Sequence, residues 1–262
     1  MQDFSSSSIR QAPRLLVSIR DADEAKTAIN SAVDIIDLKE PNRGSLGPVT
    51  VDMADEISKA VGDRIPLSLA MGELLSDGDA QLIDDFTSSE PGRKILSRFD
   101  YAKVGTAGAL SVSDWQARWL QWAGKLPART QPVLVYYVDK AAAPPDLGET
   151  LKFAIEKKIS TLLFDTWSKD SGHLLDWLPE NELNSVLNWG RMHRVAIALA
   201  GSLSPETVER TMVMGPSIIA VRTAACEAGR SSILCATKIG RLRKILDSAS
   251  PNRGTFPTKI PG

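Results

Sequence analysis

From Arg14 onward the chain repeats one pattern of hydrophobic and polar positions. Short apolar or β-branched runs, such as Leu15-Leu16-Val17 and Thr161-Leu162-Leu163-Phe164, are followed by longer segments in which apolar residues return every three or four positions. A short unbroken run fits a strand buried on both faces, and the wider return fits a helix with one apolar stripe. The pattern predicts strands over 14–19, 33–39, 66–71, 101–104, 132–138, 161–165, 194–200 and 217–222. Helices are predicted over 22–31, 51–61, 77–85, 113–124, 148–157, 180–189, 204–213 and 238–248. Ser113 and Ser204 suit N-caps, and Pro205 falls at a first helical position, where its missing N–H costs little.

Strands that alternate with helices imply a parallel sheet, because parallel neighbours need a long crossover. Eight such units in 262 residues match one α/β (β/α)8 TIM barrel, whose closure leaves no sheet edge exposed. We therefore expect a single barrel domain over 1–262, with a polar N-terminal extension at 1–13 and a flexible Pro- and Gly-rich tail at 250–262. A doubly wound open sheet alternates in the same way, but the Gly-rich turn it uses after its first strand is absent after Ile19.

Composition removes several function classes. With 31 Lys and Arg against 32 Asp and Glu, the net charge is −1, so no global field draws the chain to nucleic acid or an anionic membrane. Cys226 and Cys235 are too few for a disulfide framework, and no His or Cys pair has zinc-site spacing; a reducing cytoplasm is the expected setting. The opening Met-Gln-Asp-Phe lacks a basic region before an apolar core, and no apolar run approaches a membrane span.

Barrel chemistry sits at the C-terminal ends of strands. The polar residues there are Asp37 and Lys39, Lys103, Asp139 and Lys140, Asp165 with Thr166 and Lys169, and Arg222. Asp37 and Lys39 stand two apart on one strand, so their side chains leave on the same face and can pair. A lysine shielded from water near other cations, such as Lys103 or Lys169, can hold neutral amine at pH 7 and attack a carbonyl. The plainer alternative is an Asp–Lys ion pair that closes the barrel end.

Phosphate candidates are Gly201-Ser202 after strand seven and Arg222-Thr223 after strand eight, where barrels often cradle phosphate near a helix N-terminus. Arg222 could equally pair with Asp165 or Glu227. Gly44-Ser45-Leu46-Gly47 either offers further N–H donors or forms a tight turn. His173 and His193 lack carboxylate or Cys companions at ligand spacing, and Cys226 is expected to pack as a small apolar residue. Trp115, Trp119 and Trp122 have helical spacing and form one apolar face, within the chain or at a subunit contact.

Six segments, in order, resemble the (5-formylfuran-3-yl)methyl phosphate synthases. They are Leu15-Leu16-Val17-Ser18; Asp34 to Pro41 leading into Gly44-Ser45-Leu46-Gly47; Tyr101-Ala102-Lys103-Val104-Gly105; Phe164-Asp165-Thr166 with Lys169-Asp170; Ala198 to Ser202; and Val221-Arg222 with Ala224-Ala225-Cys226. The resemblance implies a barrel that condenses two glyceraldehyde 3-phosphates into a furan aldehyde phosphate, with loss of phosphate and water, in methanofuran-type cofactor synthesis. It implies Lys39 as the Schiff-base lysine, Lys103 as a proton acceptor, and Asp37, Asp165 and Lys169 as aids to proton transfer. No metal and no cofactor is implied; the partners are a triose phosphate substrate and copies of the same chain in a homo-oligomer. Thr223 departs from the glycine expected after the arginine. Competing readings are a Schiff-base aldolase, an isomerase-like barrel on phosphosugars, and a barrel that binds phosphometabolites without reaction.

Overall fold

The computed structural model describes residues 12–170 and 172–248. The expected head at 1–13, apart from Ala12 and Pro13, and the tail at 250–262 lie outside the described residues. Eight parallel strands close into a barrel in chain order, β8 pairing with β1. They are β1 (Arg14–Ile19), β2 (Ile35–Leu38), β3 (Leu67–Glu73), β4 (Tyr101–Gly105), β5 (Gln131–Tyr137), β6 (Thr161–Asp165), β7 (Ala196–Leu199) and β8 (Ile218–Val221). Around them run α1 (Ala22–Ile29), α2 (Val51–Val61), α3 (Asp77–Thr87), α4 (Glu90–Leu96), α5 (Trp115–Ala123), α6 (Leu147–Glu156), α7 (Leu174–Trp177), α8 (Glu180–His193), α9 (Pro205–Met212) and α10 (Ala236–Ser248). None of the described helices is long and apolar enough to cross a membrane.

Alternation along the strands divides the apolar residues into two cores. Leu16, Ile35, Val133, Val135, Leu163 and Ala198 fill the barrel interior. Their neighbours Leu15, Val17, Ile36, Leu134, Leu162 and Ile197 face outward and pack under the helices. Along β2 and β6 the inward set changes from apolar to charged, so Ile35 is followed by Asp37 and Leu163 by Asp165. The folding core and the reactive rim are thus successive residues of one face.

Several boundaries differ from the sequence pattern. The seventh strand starts at Ala196, because Arg194 has φ 58° and ends α8, which extends beyond 189. Helix α5 starts after Asp114 rather than at Ser113; a 3-10 turn at Ala109–Ser111 leads the chain so that the Trp115 amide bonds the Val112 carbonyl. Ser204 does cap α9, accepting from the Thr207 amide at 3.2 Å. The short helices α4 and α7 were not predicted. Ser89 caps α4, and Pro91 sits in its first turn, where proline costs no hydrogen bond. The three tryptophans of α5 are buried within the chain, Trp115 and Trp119 packing edge-on against Phe153 of α6, so they supply no subunit contact.

Candidate active site

The ends of β2, β4 and β6 bring Lys39, Lys103, Asp165 and Lys169 to one cavity at the C-terminal mouth of the barrel. Asp37 is buried below them; it accepts from Ser18 at 2.9 Å and pairs with Lys103. Lys103 also donates to the Ser68 hydroxyl at 3.0 Å. The expected pairing of Asp37 with Lys39 is therefore not formed. Strand register explains this: Ser18, Asp37 and Ser68 lie in one row across β1, β2 and β3, and the Lys103 amine reaches down into that row.

Asp165 anchors the other half of the site. It accepts from Lys169 at 2.8 Å, from the Thr166 amide at 2.8 Å and from Ser45 at 3.1 Å. Burial by itself would raise its pKa, but the Lys169 and Lys39 charges and these hydrogen bonds outweigh burial and hold it below the usual range. Asp139, also fully buried, accepts from the Trp167 and Ser168 amides and so fixes the loop that carries Lys169. Lys140 is exposed and takes no part in the cavity.

Lys39 differs from the other two mouth lysines. Among the described residues it has no ion pair; its amine donates only to the Ser45 carbonyl, at 3.3 Å. Burial pushes its pKa down to about 8; Asp165 and Asp37 pull it up from a distance, against Lys169 and Lys103. About one-tenth of such an amine is neutral at pH 7, against roughly one in several thousand for an ordinary lysine. Of the three mouth lysines, Lys39 is the one that burial brings nearest to a neutral amine.

Arg222 lines the cavity, but its guanidinium is engaged by protein groups. Its guanidinium grips Glu24 of α1 with both forks, at 2.5 and 2.9 Å, and donates to the carbonyls of Ser18, Arg230 and Ser232. The pair is buried and ties the β8 loop across the β8–β1 seam. Neither Asp165 nor Glu227 is its partner. In sequence Glu24 looked like an ordinary acid in the first turn of a helix, which hid the match.

A second guanidinium at the mouth is that of Arg230, which no motif in the sequence marks. It lies half-buried in the loop after β8, lines the cavity, and uses one amine on the Gly44 carbonyl at 2.8 Å. Gly201 and Ser202, at φ 94° and 50°, line the same wall just before α9. Thr223 is exposed at the rim and opens a 3-10 turn with no positive φ, so its position does not require glycine. The Gly44–Gly47 segment is a tight turn, with Gly44 at φ 102°; its carbonyls rather than its amides serve the site, those of Ser45 and Gly44 receiving Lys39 and Arg230. His173 opens α7 beside Asp176, His193 rests on Trp189, and Cys226 is buried; none lines the cavity.

The family model of the 4-HFC-P synthases matches residues 15–243. The chain belongs to this family. A (5-formylfuran-3-yl)methyl phosphate synthase of Methanopyrus kandleri is 31% identical over 228 residues, 83% of this chain and 91% of the relative. A synthase of the same name from Archaeoglobus fulgidus is 29% identical, covering 84% of this chain and 94% of the relative. The chain is an enzyme of this type. Among solved structures, phosphoribosyl anthranilate isomerase of Thermotoga maritima superposes with a TM-score of 0.60 at 14% identity, over 90% of this chain and 99% of that one. The 3-hexulose-6-phosphate synthase of Salmonella typhimurium superposes at 0.59 and 19% identity, again over 90% and 99%. These two likenesses establish the barrel fold.

Proposed function

We propose that the enzyme joins two molecules of glyceraldehyde 3-phosphate into (5-formylfuran-3-yl)methyl phosphate through an imine on Lys39, as a step toward a methanofuran-type cofactor. The observation that carries this reading is the inequality of the three mouth lysines. Lys103 and Lys169 each hold a carboxylate, whereas Lys39 is buried without one and has a pKa of about 8.

One glyceraldehyde 3-phosphate first isomerises through its enediol, losing a proton at C2 to a base and gaining one at C1; the neutral Lys39 amine adds to the ketone so formed, and water leaves as the iminium forms. The iminium acidifies the adjacent C–H, and its electron pair moves into the enamine as the proton goes to a base. That enamine attacks the aldehyde carbon of the second triose. Loss of one phosphoric acid and two water molecules in total leaves the aromatic furan, whose stability makes the last step irreversible. Lys103 with Asp37, and Lys169 with Asp165, stand on either side of Lys39 to exchange these protons. Arg230, together with the Gly201-Ser202 backbone before α9, takes the phosphoryl group in place of Arg222.

Incubation with glyceraldehyde 3-phosphate tests the reading by two measurements. A near-ultraviolet furan absorbance should appear, and borohydride should trap a triose adduct that peptide mass spectrometry maps to Lys39. A sugar phosphate as the only product would replace the synthase with an aldolase, and absence of both product and adduct would leave a binding barrel.

A further inference from the structure

Half-buried Glu73 at the end of β3 and buried Tyr137 at the end of β5 form an acid pair that the chemistry above does not use. Tyr137 donates to Glu73 at 2.5 Å, and the Ala107 amide donates to the other carboxylate oxygen at 3.2 Å. Regular pairing of β3 with β4 would carry the register from Ala70–Lys103 to Gly72–Gly105, but the observed partner of Gly105 is Glu73. This bulge, with Gly72 at φ 87°, turns Glu73 toward an interior from which simple alternation would exclude it. Gly105 makes room: a Cβ there would lie 1.9 Å from a Glu73 carboxylate oxygen and 2.5 Å from the Tyr137 hydroxyl. Bulge and glycine together put a carboxyl and a phenol where a side chain at position 105 would forbid them.

The pair leads toward the reactive cluster. Tyr137 is fully buried, and besides Glu73 the polar side chains acting on its hydroxyl are those of Asp165 and Ser45. Ser45 in turn donates to Asp165 at 3.1 Å and to the Thr166 carbonyl at 3.0 Å, and Asp165 receives Lys169. At the other end Glu73 is only half-buried, so it is the member of the series in reach of water. The groups acting on Glu73 are Tyr137 from β5, the Ala107 amide after β4, Asp79 of α3 and Asp165 of β6. Burial, the largest effect, raises its pKa to about 7, so both protonation states are populated near neutrality.

We propose that Glu73 and Tyr137 form a side route by which protons pass between solvent and Asp165, with Ser45 as the link. The Tyr137 and Ser45 hydroxyls are not closely bonded at rest, so transfer requires Ser45 to turn from the Thr166 carbonyl. A proton taken up by Asp165 then passes to the Ser45 oxygen as the Ser45 proton moves to the Tyr137 oxygen and the phenol proton to Glu73, along the bond Tyr137 already makes. Each oxygen between the ends gains one proton and loses one; the series ends with ionised Asp165 and neutral Glu73, which returns the proton to water. A substrate filling the mouth shuts the direct path to water, and a lateral route lets Asp165 recover its charge state with the site occupied. The proposal rests on Asp165 handling protons in the reaction proposed above.

Glu73→Gln and Tyr137→Phe test it, with glyceraldehyde 3-phosphate as substrate and furan absorbance followed from about pH 6 to about pH 9. Both variants should keep KM and the borohydride-trapped Lys39 adduct while kcat falls roughly ten- to a hundredfold. The inflection near pH 7 in the wild-type kcat profile should be absent from the Gln variant. Wild-type kcat and pH profile in a folded variant would overturn the relay; so would loss of the adduct in step with kcat, which would mean that the pair only shapes the pocket. Should the Gln variant fail to fold, Tyr137→Phe, which removes a single oxygen, decides between the same outcomes. A wild-type enzyme giving neither furan nor adduct would overturn the proposed reaction and the relay with it, whereas a relay that fails alone leaves wild-type turnover intact.

Discussion

Asp37 pairs with Lys103 across the barrel and not with Lys39, its neighbour on the same face of β2. One carboxylate thus fixes the charge on one lysine and leaves the other buried without a close counter-ion. The arrangement divides the labour of the two lysines, and the consequences below follow from it.

Lys39→Arg should fold and lose both turnover and trapped adduct. A guanidinium keeps the charge but stays protonated, so it cannot act as a neutral nucleophile. Lys103→Arg is the control: turnover should slow while some adduct persists at Lys39. Adduct mapped by mass spectrometry to Lys103 or Lys169 in the wild-type enzyme would move the nucleophile. The trapping rate of wild type should climb from pH 7 and level off above about 8, the pKa of Lys39, as the amine becomes fully neutral.

The two arginines after β8 should separate binding from stability. Arg230→Ala is expected to raise KM by about one to two decades with the fold intact, the loss of a charge-assisted bond worth roughly 1.5–3 kcal/mol. Arg222→Ala should instead destabilise the protein by roughly 3–5 kcal/mol in denaturant unfolding, because Glu24 is left buried and unpaired. A normal KM in the Arg230 variant would return the phosphate to the Gly201-Ser202 backbone alone.

Lys39 should also cost the fold stability. Its folded pKa of about 8 lies below the 10.5 of an ordinary lysine, so the unfolded chain binds the extra proton between these values. Stability should therefore rise as pH increases from about 8 to about 10.5. At pH 7 Lys39→Met should be inactive yet more stable, by about 2–4 kcal/mol, the size of that pKa difference. Urea titrations at pH 7 and pH 10 check it, and a gain as large at pH 10 as at pH 7 would point to packing instead of desolvated charge.

The barrel and the composition of its rim were legible along the chain. Runs such as Thr161 to Phe164 are too short and too apolar for anything but buried parallel strands, and alternation alone places Asp37 and Lys39 on the inward face. These are local facts, set by backbone period and burial. Partner choice is not local. Asp37 and Lys103 are 66 residues apart and Arg222 and Glu24 are 198 apart, so only closure of the sheet decides which charges meet. Closure took Arg222 for the β8–β1 seam, left Arg230 facing the mouth, and withheld a carboxylate from Lys39. Glu73 was hidden for a related reason. Its inward turn comes from a bulge, and the space it occupies exists because Gly105 on the next strand has no side chain. Period-two reasoning cannot foresee a register shift, which is settled by how two neighbouring strands pack.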